Sequence, residues 1–208
     1  MADNDQYRTI NEASRGLFRD RGSKFIALAY PVTDPEQVKD IVDSLKKEYH
    51  DARHHCYAYM LGPERDVWRI NDDGEPSGTA GKPILGQINS AELTDILIVV
   101  VRYFGGTLLG VSGLINAYRS AAADAISNST VITRFVTVSV TITFPYLVIN
   151  DVMKVLKDES VSQSNQVFDN ECTIIVSMPL SMEDNITGRL LKIKGLSLSR
   201  EGFSSDRP

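Results

Sequence analysis

The 208-residue chain has 42% hydrophobic residues and a formal net charge of -5, enough apolar material to bury a core in one large or two small domains. Residues 1–133 carry 14 Lys+Arg against 18 Asp+Glu, and residues 134–208 carry 8 against 9. Neither part is a basic module that holds a phosphate backbone through its overall charge, so any nucleic-acid surface has to be a local patch.

A polar stretch opens the chain to about Gln6 and is expected to be loose. Leu17–Phe18 and Lys24–Val32 read as strands around the turn Asp20-Arg21-Gly22-Ser23. Asp34-Pro35-Glu36-Gln37 is a helix start, with Asp34 as cap, Pro35 at the first helical position and Gln37 able to complete a capping box. Val38, Ile41, Val42 and Leu45 then recur at helical spacing, which predicts one buried face. His54–Leu61 and Val67–Asn71 read as strands joined at Gly62-Pro63-Glu64-Arg65, and Lys82–Ala91 as a short helix.

Ile96-Leu97-Ile98-Val99-Val100-Val101 is continuously apolar and mostly β-branched, the pattern of a strand covered on both faces. A helix follows, marked by Leu114, Ala117, Tyr118, Ala121 and Ala125, whose small residues permit close packing on a sheet. After the polar stretch Ser127–Thr130, Phe135–Phe144 alternates Val and Ile with Thr and Ser, as a strand with one wet face does. A helix at Val148–Leu156, strands at Val161–Phe168 and Cys172–Met178, a helix at Met182–Ile193 and a strand at Leu196–Ser199 complete the order βαββαβ. That order predicts a ferredoxin-like C-terminal domain, residues 134–208, behind an N-terminal α+β domain, residues 1–133.

Two glycine-rich loops bracket the apolar strand. The first runs from Asp72 to Pro83 and brings Ser77 and Thr79 hydroxyls, backbone amides made approachable by Gly78 and Gly81, and the Lys82 cation to a helix start. Amides and a helix dipole together favour an anion there; the competing reading is a sharp loop whose hydroxyls satisfy its own backbone. Pro76 and Pro83 stand where a phosphate-binding P-loop would need Gly and Ser or Thr. The second loop, Gly105-Gly106 through Gly110 to Gly113, lacks the Gly-x-Gly-x-x-Gly of dinucleotide-binding turns. At the strand's end Arg102 and Tyr103 place a planar donor beside an aromatic face; Arg102 reads equally as the ion-pair partner of Asp72, Asp73 or Glu75.

His54-His55-Cys56 is awkward for one metal ion, because on a strand His54 and Cys56 share a face that His55 does not. Cys56 and Cys172 show no metal-ligand spacing, no signal segment opens the chain, and six apolar residues at Ile96–Val101 are too few to cross a bilayer. A cytoplasmic protein with no membrane partner, no cofactor and no metal-ligand set is the expectation.

Arg53-His54-His55-Cys56-Tyr57-Ala58-Tyr59, Asp72-Asp73-Gly74-Glu75-Pro76-Ser77-Gly78-Thr79-Ala80-Gly81 and Val101-Arg102-Tyr103-Phe104-Gly105-Gly106 together resemble the signature of the YigZ/IMPACT family over about residues 15–130. One departure is Asn116, where members usually carry a cation. The resemblance implies an N-terminal domain similar to the second domain of a small-subunit ribosomal protein and a C-terminal domain similar to a late domain of elongation factor G. It also implies a non-enzymatic, translation-associated protein whose partner is RNA, the ribosome or a translation factor. The expected contact set is Arg53, His54, Ser77, Gly78, Thr79, Gly81, Lys82, Arg102, Tyr103, Gly105, Gly106 and Arg119. The alternatives are a regulator that binds a translation factor without touching RNA, and a hydrolase using His54, Asp73 or Glu75 at the same loops.

Overall fold

In the computed structural model, which describes residues 5–205, the apolar run becomes β6 (Ile96–Tyr103), the middle strand of five. Its neighbours are β3 (Ser23–Pro31) and β4 (His54–Leu61), flanked by β2 (Ser14–Asp20) and β5 (Val67–Asn71). The order is β2-β3-β6-β4-β5 with every pair antiparallel.

Both faces of β6 are covered, as its unbroken apolarity requires. On one side Ile98 and Val100 pack with Phe25, Ala27, Cys56 and Ala58 against α2 (Gly81–Ser90) and α3 (Gly110–Ser127). On the other, Leu97, Val99 and Val101 meet Val38, Val42 and Leu45 of α1 (Pro35–Glu48). Burying each such side chain contributes about 1.5–3 kcal/mol, so this strand anchors the unit. Helix α3 lies close enough to β2 that a Cβ on Gly16 would sit 2.3 Å from the Ala125 nitrogen.

Asp34 caps α1 by accepting from the Glu36 and Gln37 amides at 3.0 and 2.9 Å. Gln37 reaches one residue further back than a capping box expects and accepts from the Thr33 amide at 3.1 Å.

The chain divides into two units, one spanning Arg8–Thr133 and the other joining the described residues up to Tyr7 with those from Arg134 onward. Residues 5–7 therefore group with the second unit, where the sequence reading had placed them in the first. Gln6 and Tyr7 open β1 (Gln6–Ile10), whose first residue falls at the end of the stretch expected to be loose. The Asp5 carbonyl accepts from the Val136 amide at 2.7 Å, and the Asp5 carboxylate accepts from the Ser181 amide at 3.0 Å.

The second unit runs β7 (Val131–Pro145), α4 (Ile149–Asp158), β8 (Ser162–Val167), β9 (Glu171–Pro179), α5 (Glu183–Leu190) and β10 (Ser197–Ser205). The expected order βαββαβ is the order found. Strand β7 pairs with β9 on one side and with β10 on the other, and β8 closes the edge beyond β9. Val138, Val140, Ile142 and Phe144 turn inward onto Val152, Leu156, Ile186 and Leu190. Mixed α+β architecture thus holds throughout the described residues, and none of their helices is long and apolar enough to cross a membrane.

Candidate binding site at the glycine-rich loops

The first loop turns through Asp73 and Gly74, with φ of +43° and +87°, and again through Gly78 at +77°. Its amides are already engaged. One Asp72 carboxylate oxygen accepts from Gly78 N at 2.8 Å, and the other accepts from Ala80 N at 3.1 Å and Gly81 N at 2.8 Å. Helix α2 has no side-chain cap of its own at Ala80, so Asp72 neutralises its N-terminus from eight residues upstream. This corrects the expectation that the Gly78 and Gly81 amides await an outside anion: the anion is the chain's own. Thr79 is likewise spoken for, its amide and hydroxyl both donating to the Pro76 carbonyl at 3.0 and 2.7 Å. Ser77 stays exposed.

Two of the glycines serve contacts within the chain. A Cβ on Gly81 would stand 2.8 Å from the Ile70 Cβ, and one on Gly105 would stand 2.0 Å from the Gly22 carbonyl carbon. Gly105 also donates its amide to Ser23 Oγ at 3.1 Å, pinning the second loop to the β2–β3 turn. Gly106, at φ +86°, faces open space.

Between the loops lies a buried polar cluster. Glu75, 8% exposed, accepts on one carboxylate oxygen from Arg102 Nη1 at 2.5 Å and from the Tyr118 hydroxyl at 2.7 Å. Glu75 is thus the acid that pairs with Arg102. Cys56 Sγ lies 3.0 Å from the Asp72 carbonyl and 3.3 Å from the Tyr118 oxygen. Burial pushes the Cys56 thiol and the Tyr118 phenol far up, and their neighbouring acids add to it. Both stay protonated near neutral pH, which removes Cys56 as a thiolate nucleophile there. Tyr118, Cys56 and the capping role of Asp72 were not in the expected site.

The two histidines part as the strand reading required. His54 Nδ1 lies 2.7 Å from the Asp73 carbonyl, which can only accept, so Nδ1 carries the proton and Nε2 faces Glu75 Oε1 at 3.9 Å. His55 is buried, with Nε2 at 3.2 Å from the Tyr49 carbonyl and its amide donating to the Asp73 carboxylate at 2.6 Å. Desolvation lowers the His55 pKa from its usual 6.5, outweighing the pull of Asp73. A base depressed on folding contributes stability that is fully present above the unfolded value and is lost as pH falls through the range below it. Acid titration from neutrality should therefore loosen the first unit. The His55→Asn variant should show a flatter dependence of its urea midpoint on pH, and an unchanged slope would refute the assignment.

At the end of the sheet where β6 leaves, cations and rings interleave. Lys24 pairs in register with Tyr103 and holds its ammonium 5.9 Å from that ring's centre; Phe25 and His54 flank Arg102 from either side. The Arg102 guanidinium stands 5.4 Å from the Phe25 ring and 5.7 Å from Phe104, and Arg53 stands 5.8 Å from Phe104. Phe104 is 40% exposed and Arg53 exposed, whereas Arg102 is buried and its Nε finds no partner among the described residues. Phe104, absent from the expected set, is the ring these guanidiniums share. The four cations expected in one patch fall into two pairs: Arg53 and Arg102 at this rim, and Lys82 and Arg119 along a groove lined by α2 and α3.

The Impact N-terminal domain family model matches residues 21–126, which include both loops, the cluster and the rim. The chain belongs to the IMPACT family. It is 37% identical over 128 residues to the IMPACT family member YvyE of Bacillus subtilis, covering 62% of this chain and 59% of that protein. With the IMPACT family member YigZ of Escherichia coli it shares 43% over 110 residues, 52% and 54% of the two chains. Protein IMPACT of Xenopus laevis is 40% identical over 96 residues, which cover 44% of this chain and 30% of that one. The matched region thus spans little more than half the length of the bacterial relatives. A solved structure described as a crystal structure of an hypothetical protein superposes with a TM-score of 0.71 at 28% identity, over 93% of this chain and 96% of that one.

Proposed function

We propose that this IMPACT family member is a non-enzymatic, translation-associated binding protein that contacts single-stranded RNA, on the ribosome or free, at the rim of its first sheet. The observation that carries the reading is the sharing of the half-exposed Phe104 ring by the Arg53 and Arg102 guanidiniums, with Lys24 on Tyr103 beside it. An open aromatic face among cations offers a nucleobase a stacking surface and its phosphate a counter-charge. Family membership supports a role in translation, as do the proposed likenesses of the first unit to the second domain of a small-subunit ribosomal protein and of the ferredoxin-like unit to a late domain of elongation factor G. Such a protein works in the cytoplasm and needs no cofactor.

Stacking on one ring is worth about 1–3 kcal/mol, so Phe104→Ala should weaken binding of a short single-stranded RNA by roughly fivefold to a hundredfold. Arg53→Ala should reduce the salt dependence of affinity, because fewer counterions are displaced. RNA affinity that is indifferent to both changes, or flat with salt, would remove this reading.

A second reading rests on Leu108 and Val111, exposed by 81% and 59% in and after the same loop: the rim would dock a translation factor by apolar contact, with no RNA involved. Recovery of one such factor after nuclease treatment, lost on Leu108→Ser, would favour it. The hydrolase reading is left with the His54–Glu75 approach at 3.9 Å, and hydrolysis of any substrate abolished by His54→Gln would revive it.

A further inference from the structure

Away from the rim, a groove of about 490 Å³ is lined by Gly78, Lys82, Pro83, Gly86, Gln87, Ser90, Ile115 and Arg119. Its volume is that of a small-molecule site. Its charge is opposite to that of the whole: the chain carries -5, yet this lining holds two cations and no acid. Lys82 and Arg119 are both exposed, and the side chain of neither makes a hydrogen bond or ion pair with another described residue. Cations at a protein surface without acidic partners remain available to an outside anion.

Gly86 adds a second, independent observation. It occupies the interior of α2, where glycine costs about 1 kcal/mol against alanine. Its φ is not positive, and a Cβ there would meet nothing within 4 Å. Neither backbone conformation nor packing against the protein calls for glycine at this position; what a side chain would take is room in the groove.

We infer that the groove between α2 and α3 binds the phosphoryl group of a phosphate-bearing ligand. A carboxylate has two coplanar oxygens, which a single Arg fork satisfies. A phosphate has oxygens in more than one plane, so that a planar guanidinium from α3 and a point-charge ammonium from α2 engage it together. The Gln87 amide in the same lining supplies a further donor. The phosphate belongs either to a free nucleotide-like molecule or to the backbone of RNA, and the test below separates the two. The inference does not rest on the stacking role of Phe104.

Calorimetric titration of the full chain with inorganic phosphate, a nucleoside diphosphate and a short single-stranded RNA, each in turn, tests it. The Lys82→Ala/Arg119→Ala double variant removes the charge, and Gly86→Leu fills the space while keeping both cations; unchanged circular dichroism verifies their folds. Each variant should weaken binding at least tenfold, while Leu147→Ser, at an exposed position of the second unit, leaves it unaltered. Loss confined to the small anions identifies a free ligand, and loss confined to RNA identifies the backbone. Absence of binding by all three probes, or binding that neither groove variant changes, would overturn the inference.

Discussion

Replacing Glu75 with Ala should destabilise the first unit by about 3–5 kcal/mol, the usual consequence of stranding a buried charge. The charge stranded is Arg102, 6% exposed, whose Nη1 donates to Glu75 and whose Nε already lacks a partner among the described residues. The Tyr118 hydroxyl loses its acceptor in the same step. Removing both ends of the pair should be milder, because nothing charged is then left in an apolar site. Glu75→Leu with Arg102→Met should therefore recover much of the loss suffered by Glu75→Ala. The single tryptophan, Trp68, lies on β5 and so reports on this unit by its fluorescence in urea. A Glu75→Ala midpoint matching that of the unaltered chain would mean that the pair holds nothing together.

Asp72→Ala should cost about 3 kcal/mol, since it strips the acceptor from more than one buried amide at once. The amides are those of Gly78, Ala80 and Gly81, all on one carboxylate. Asn in its place keeps one carbonyl oxygen and loses the charge, so Asp72→Asn should fall between the two. The variant with Ala creates the vacant anion cradle that the intact loop does not have. Acetate or sulfate should then raise its midpoint by more than that of the unaltered chain. Equal responses of the two proteins to these anions would show that Asp72 does not occupy the cradle.

Local patterns in the sequence carried a long way. The uninterrupted apolarity of Ile96–Val101 announced a strand covered on both faces, and the bounds of β4 and β5 follow from their composition and the Gly62–Arg65 turn between them. Asp34 and Pro35 marked the start of α1. What escaped was non-local. Strand β1 went unassigned because its partner, β7, lies far along the chain. The sharp-loop alternative for the first glycine loop holds at Thr79, but that loop is organised by Asp72 reaching forward to amides six to nine residues on. The Glu75 cluster joins residues up to 62 positions apart through Cys56 and Tyr118, and no spacing rule connects them. Phe104 was quoted within a motif without a role, since only the register of β3 and β4 against β6 shows which cations its ring meets.

The grouping of Asp5 to Tyr7 with residues beyond Arg134 has a consequence for how the chain matures during synthesis. These residues leave the ribosome before the Arg8–Thr133 unit, yet the Val136 and Ser181 amides that bond to Asp5 emerge only after that whole unit has been made. Domains generally fold as units in the order in which they are translated. Asp5 to Tyr7 therefore wait, unmatched, while the Arg8–Thr133 unit forms, and the strands made after it supply their partners.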